Sequence, residues 1–218
     1  LSPGWKTYWR APGDAGIPPV FDLSGSENLR SVRVHWPSPV VFHTNGMQTI
    51  GYHDAVVLPL EVVARDPSRP VKLRAEVSMG VCKDICMPAS LSLSATLDGK
   101  GAPDPAITRA LDARPQTAAE AGLRAISCDV APISDGLRLT ARIGLPERGG
   151  QEVVVVETTD PSVWVAEAES ARQGRTLTAV TDLVPGAGAP FALDRAGLTV
   201  TVLGDGGRAV EIKGCPAP

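Results

Sequence analysis

The strongest constraint on this chain is the stretch Gly80-Val81-Cys82-Lys83-Asp84-Ile85-Cys86-Met87-Pro88, which holds two of its four cysteines with three residues between them. On a straight strand, positions four apart lie roughly 13 Å from each other at about 3.3 Å per residue. A disulfide needs Cα atoms about 4.4–6.8 Å apart. If Cys82 and Cys86 pair, the segment must therefore turn, either as one helical turn or as the tip of a loop. Gly80 and Pro88 bracket it with turn-forming residues. Closing so small a ring stabilises a fold by only about 2 kcal/mol, against roughly 4.6 kcal/mol for a loop near 88 residues. Such a bond is a weak staple, and small strained rings are the easier ones to reduce. Lys83 places a cation where it favours a thiolate, and Asp84 opposes it. The pair thus reads as a redox switch, with a minor structural clip and metal ligation as the alternatives.

The other two cysteines, Cys128 and Cys215, stand far apart. A bridge between them would be of the stabilising kind and would persist only in an oxidising compartment. Two buried free thiols are the alternative. Asn28 and Asn45 lack a glycosylation pattern, which allows a bacterial envelope. Leu1-Ser2-Pro3 reads as a chain already processed or trimmed, and no apolar run is long enough to span a bilayer.

The chain has 218 residues and a formal net charge of −3, with no block of like charge. Nine basic and nine acidic residues fall within positions 1–98, so the half that carries the cysteine pair is neutral. This excludes the electrostatic footprint of a nucleic-acid or anionic-membrane binder. The 22 glycines and 20 prolines are scattered as turn markers between short β-branched runs. Those runs are Ser31–Trp36, Ala55–Ala64, Val71–Val77 and Ser90–Leu97, then Leu123–Val130, Leu137–Ile143, Glu152–Thr159, Ser162–Glu167, Leu177–Thr181 and Leu198–Val202. The fold class expected is all-β, as two β-sandwich domains. Between them, Asp98–Ala121 breaks the pattern, with Ala106–Ala113 as a two-turn helix capped by Asp104 and ended by Pro115. The expected division is a first sandwich over 1–98, a linker over 99–121 and a second sandwich over 122–218.

At this point the motifs resemble a known family. Gly4-Trp5-Lys6-Thr7-Tyr8-Trp9-Arg10, Pro12-Gly13-Asp14-Ala15-Gly16, Pro18-Pro19 and Phe21-Asp22 look like its opening. Val34-His35-Trp36-Pro37, Gly51-Tyr52, Leu58-Pro59-Leu60 and Val81-Cys82-Lys83-Asp84-Ile85-Cys86-Met87-Pro88-Ala89 follow in order. The pattern is similar to the periplasmic N-terminal domain of DsbD-type thiol:disulfide interchange reductases, nearest to the suppressor of copper sensitivity protein B subgroup. It is specific over about residues 4–97 and weak over 122–218. The resemblance implies immunoglobulin-like sandwiches acting as an electron shuttle in the periplasm. A transmembrane reductase domain of the same protein would supply electrons, and a soluble periplasmic thioredoxin-fold protein, ScsC-like or DsbC-like, would receive them. No cofactor is implied. By family position Cys86 forms the mixed disulfide and Cys82 resolves it, and Tyr8 matches a tyrosine near the pair. A cap over the redox site would fall in Val40–Gly51, with Phe42 or Met47 covering; Asn45-Gly46 there also reads as an ordinary hairpin turn.

Two rival functions stay in view. Met79, Cys82, Cys86 and Met87 are soft ligands suited to Cu(I), and His35, His43 and His53 share the same half. Their spacing lacks the matched ligand pairs of a metal cage, so no metal ligands are assigned. A non-catalytic docking sandwich is the third reading, and the second half fits it. No nucleophile elbow or phosphate-cradling loop is present, and Gly204-Asp205-Gly206-Gly207 reads as a hairpin turn.

Overall fold

The structure is a computed structural model that describes residues 1–13, 15–44, 46–99, 101–186 and 191–218. The chain divides into two compact units, Leu1–Arg114 and Pro115–Pro218. The regular structure of both is almost wholly strand, so the fold is all-β as the turn-punctuated sequence predicts. No described helix is long and apolar enough to cross a membrane.

The first unit holds β1 (Lys6–Tyr8), β2 (Val20–Asp22), β3 (Leu29–Val34), β4 (Val40–Thr44), β5 (Met47–His53), β6 (Leu60–Ala64), β7 (Val71–Cys82) and β8 (Cys86–Leu97). Strands β2, β7, β1, β5 and β4 are neighbours in that order, and β8 joins the same sheet through β7. Strands β3 and β6 form a separate pair. One edge of β7 is taken along its whole length by β8, so β2 and β1 share the other edge end to end. The run Ala55–Ala64, expected as one strand, is a strand only from Leu60. Pro59, which has no N–H for a ladder, stands directly before it.

Alternation explains which face β7 buries. Val71, Ala75 and Val77 are buried while Lys72, Arg74, Glu76 and Ser78 are exposed. The apolar face lines a cavity of about 370 Å³, walled by Thr7, Phe21, Tyr52, Leu60, Val77 and Met79 among others. At the end of the first unit lies α1 (Pro105–Asp112), where Asp104 caps the helix by accepting from the Ala106 and Ile107 N–H groups. Pro105 occupies the first turn, where its missing N–H costs nothing.

The second unit contains β9 (Gln116–Thr117), β10 (Ala125–Pro132), β11 (Leu137–Gly144), β12 (Val153–Glu157), β13 (Val163–Val165), β14 (Glu169–Gln173), β15 (Thr176–Pro185), β16 (Thr199–Leu203) and β17 (Ala209–Lys213). They make one sheet in the order β10-β11-β15-β13, with β14 also on β15, and a second in the order β12-β16-β17-β9. The inward rows Leu139, Ala141, Ile143 and Leu177, Ala179, Leu183 meet Val200, Val202, Val210 and Ile212 in one core. Cys128 and Cys215 lie in that core, 0% and 1% exposed, and are joined as a disulfide with Cα atoms 5.5 Å apart.

Candidate redox site

The β7–β8 hairpin builds the site. Its ladder runs unbroken from Val71↔Leu97 to Cys82↔Cys86, and Lys83-Asp84-Ile85 make the turn beyond. Of the two geometries open to the spacing, the loop tip is the one observed. Cys82 and Cys86 are bonded to each other with Cα atoms 4.1 Å apart. In an antiparallel ladder, directly opposed residues come closest at pairs that exchange no backbone hydrogen bonds, about 4.5 Å between Cα atoms. Gly80↔Pro88 is such a pair, because the Gly80 N–H donates away from β8 to the Ile17 carbonyl and the Gly80 carbonyl accepts from Thr7 Oγ1. Two residues further along, Cys82↔Cys86 has the same character. The hairpin register therefore places the two sulfurs where a bond can close.

Register also fixes the neighbours. Lys6 stands opposite Cys82, so Lys6, Tyr8, Gly80, Cys82, Cys86 and Pro88 fall on one face of the sheet. Tyr8 is 1% exposed, and its hydroxyl donates to Cys82 Sγ at 2.8 Å and lies 3.2 Å from Cys86 Sγ. Burial pushes the Tyr8 phenol above its usual value, so at neutral pH it keeps its proton and remains a donor. The ring is held between two glycines. A Cβ on Gly16 would sit 2.8 Å from Tyr8 Cδ1, and one on Gly80 would sit 3.2 Å from Tyr8 Cε2 and 2.7 Å from Ile17 Cβ. The β1–β2 connection thus lies close against Tyr8 and Gly80. Gly16 belongs to the opening motif and Gly80 reads in sequence as a turn-forming bracket, but Gly80 lies within the β7 ladder, and only the register and the ring beside them reveal their packing part.

The two cysteines differ in access. Cys82 is 1% exposed, whereas Cys86 is exposed, as are Lys83 and Asp84 on the turn. Phe42 and Met47 fall in the β4–β5 hairpin rather than in a free loop. The Phe42 ring packs edge-on to His53 at 4.4 Å and lies under Lys6 Nζ at 5.0 Å, and Met47 is half exposed. Gly46 takes a positive φ of 78° at the tip, the conformation a tight hairpin turn favours in glycine. Asn45, its partner in the expected turn, and Asp14 of the opening motif lie outside the described residues. Met79 and Met87 alternate to the face opposite the cysteines, so the four soft donors of the copper reading do not converge. Among the described residues no group of three or more His, Cys, Asp or Glu is placed to hold a metal ion.

A disulfide at a hairpin tip, open to solvent through Cys86 and with a buried hydroxyl donating to Cys82 Sγ, is suited to thiol–disulfide exchange. Comparison with known proteins agrees: residues 1–98 match the family described as thiol:disulfide interchange protein DsbD, N-terminal. The first half of the chain is thus similar to the N-terminal module of DsbD-type thiol:disulfide interchange proteins. Among solved structures, the N-terminal periplasmic domain of ScsB from Proteus mirabilis is similar at 25% identity and a TM-score of 0.70, over 100% of this chain and 84% of that one. The likeness therefore runs through the second unit, where the sequence motifs are weak. Comparison with curated protein sequences gives no match.

Proposed function

We propose that the first unit is a periplasmic electron shuttle in which Cys86 exchanges with partners and Cys82 resolves. The observation that carries this reading is the asymmetry of access, Cys86 open at the start of β8 and Cys82 closed beneath Tyr8. An attacking thiolate reaches the sulfur that solvent reaches, and the leaving thiolate gains from a hydrogen-bond donor. In the loading step, a thiolate of a membrane-embedded reductase domain attacks Cys86 Sγ. The Cys82–Cys86 bond breaks, and Cys82 leaves as a thiolate facing the Tyr8 hydroxyl. The second thiolate of the donor then attacks the mixed disulfide and releases Cys86. Two electrons have entered, and the donor leaves as a disulfide.

In the delivery step the Cys86 thiolate attacks the disulfide of an oxidised thioredoxin-fold partner. Cys82 then attacks Cys86 Sγ, the Cys82–Cys86 bond re-forms, and the partner departs as a dithiol. Cys128–Cys215, enclosed in the core of the second unit, takes no part and acts as a staple. The test is trapping on an oxidised thioredoxin-fold protein whose resolving cysteine is intact. Reduced Cys82→Ser is expected to accumulate the mixed disulfide on a non-reducing gel, and Cys86→Ser to accumulate none. Equal trapping by both variants overturns the assignment of roles.

A further inference from the structure

Strand β8 is twelve residues long and pairs only with β7, leaving its other edge without a partner strand among the described residues. The hydrogen bonds of β7 show which backbone groups face that edge. Lys72 exchanges backbone bonds with Glu27, Arg74 N–H donates to Ser26 Oγ, and Gly80 N–H donates to Ile17, all on the side away from β8. In an antiparallel ladder, residues of one parity turn both N–H and C=O to the same side. The β8 partners of Lys72, Arg74, Glu76 and Ser78, which are Thr96, Ser94, Ser92 and Ser90, therefore point their backbone groups outward. Pro88, of the same parity, sits where its missing N–H costs no ladder bond.

Soluble proteins usually blunt such an edge with charge, proline or a bulge. Past Pro88 this one has none of them. From Ala89 to Leu97 there is no charged residue, no proline and no shift in register. Leu91 and Leu93 stand on its apolar face at the mouth of the cavity, 48% and 56% exposed.

The sequence of the edge names what fits it. Ala89-Ser90-Leu91-Ser92-Leu93-Ser94-Ala95 reads the same in both directions about Ser92. We propose that β8 pairs antiparallel with β8 of a second copy of this chain, about a two-fold axis through Ser92 and normal to the sheet. In that register Ser92 meets its own copy, Ser90 meets Ser94 and Ala89 meets Ala95, each small residue facing another. Leu91 meets Leu93 at pairs without backbone bonds, where side chains approach most closely. Four leucines then form one apolar patch over the two cavity mouths. A two-fold contact must be self-complementary, and a palindrome without charge is so by construction, since no like charges are brought together. The two copies supply a short interface compared with the about 20–30 residues a side of a standard one. The association is accordingly concentration-dependent. Cys86 falls opposite Asp98 of the second copy, so the two redox turns sit at opposite ends, roughly 40 Å apart at about 3.4 Å per residue, both open.

The pairing does not depend on the redox reading. It is tested by sedimentation velocity of the full chain from low micromolar to submillimolar concentration, oxidised and reduced. The wild type is expected to shift from one to two chains in both redox states. Ser92→Pro removes an N–H only from the free edge, so it should keep its far-ultraviolet dichroism and stay monomeric where the wild type is mostly dimer. The double variant Ser90→Lys/Ser94→Glu places two opposite-charge pairs across the axis in this register alone. Its dimer should persist and shift toward monomer as salt is raised, unlike the wild type. A wild type that stays monomeric throughout overturns the proposal. So does Ser92→Pro that dimerises as the wild type does, or a double variant whose dimer ignores salt. Protection of β8 from hydrogen exchange only when an oxidised thioredoxin-fold protein is added would assign the edge to that partner and overturn it equally.

Discussion

Tyr8 is where packing and chemistry meet in one side chain. It is closed in by Gly16 and Gly80, yet its hydroxyl is spent on two sulfurs rather than on a backbone carbonyl. Tyr52, the other tyrosine, shows the contrast: it is buried too, but donates to the Pro37 carbonyl and serves packing. A hydrogen bond to a charged group is worth about 1.5–3 kcal/mol. Reduction creates that charge on Cys82, so Tyr8→Phe should make the disulfide harder to reduce. For a two-electron couple, in which 30 mV corresponds to about 1.4 kcal/mol, the potential should fall by up to about 60 mV. The midpoint of the pH profile for Cys82 alkylation in the reduced protein should move upward as well. Equilibration with glutathione and a pH series with iodoacetamide check the two. An unchanged potential would leave Tyr8 as a packing residue only. Tyr8 is at once a buried aromatic of the core and a neighbour of the sulfurs.

At the scale of the element, the hairpin β7–β8 sets the ladder register, the disulfide and the free edge together. Gly80 is its tightest point. A methyl group there would press on Ile17 Cβ at 2.7 Å and on the Tyr8 ring at 3.2 Å. Overpacking of this kind costs about 1–3 kcal/mol. Gly80→Ala is therefore expected to lower the unfolding free energy of the first unit in urea by that amount, seen as a lower midpoint, and, by displacing the Tyr8 hydroxyl, to slow reduction of Cys82–Cys86 as Tyr8→Phe does. Stability lost with no change in reduction rate would separate the glycine from the sulfurs.

Much of this element was legible in advance. The spacing of Cys82 and Cys86 demanded a turn, and the alternation of Val71–Val77 gave the buried face. The hairpin tip itself was not, because a three-residue spacing is equally compatible with a helical turn; only the pairing of the whole strand chooses between them. The β4–β5 hairpin was half legible through Asn45-Gly46, while its strands, rich in His, Gln and Thr, carry no strong apolar alternation. The roles of Gly16 and Gly80 were invisible, since they depend on a ring that reaches them from another strand.

Across the whole molecule, two disulfides sit in opposite physical settings. Cys82–Cys86 spans four positions and opens to solvent through Cys86, whereas Cys128–Cys215 spans 87 and is enclosed by Leu139, Ile143 and Ile212 with the rest of the core. Loop closure alone makes the long bridge the stronger constraint on the unfolded chain, about 4.6 against about 2 kcal/mol. Access works in the same direction, because exchange requires a thiolate to reach a sulfur along the bond. Graded reduction of the native protein, followed by alkylation and peptide mass spectrometry, should therefore give a single intermediate that carries two labels, on Cys82 and Cys86. The other two sulfurs should label only once denaturant is present. The double variant Cys128→Ala/Cys215→Ala should cost the second unit about 4–5 kcal/mol in urea unfolding and leave the reduction of Cys82–Cys86 unchanged. Were both bridges to open at the same reductant concentration, the short ring would be one staple among two and the exchange chemistry would lose its site. Were the double variant to slow reduction of Cys82–Cys86, the second unit would have to be counted as part of the redox machinery rather than as a separately stapled body.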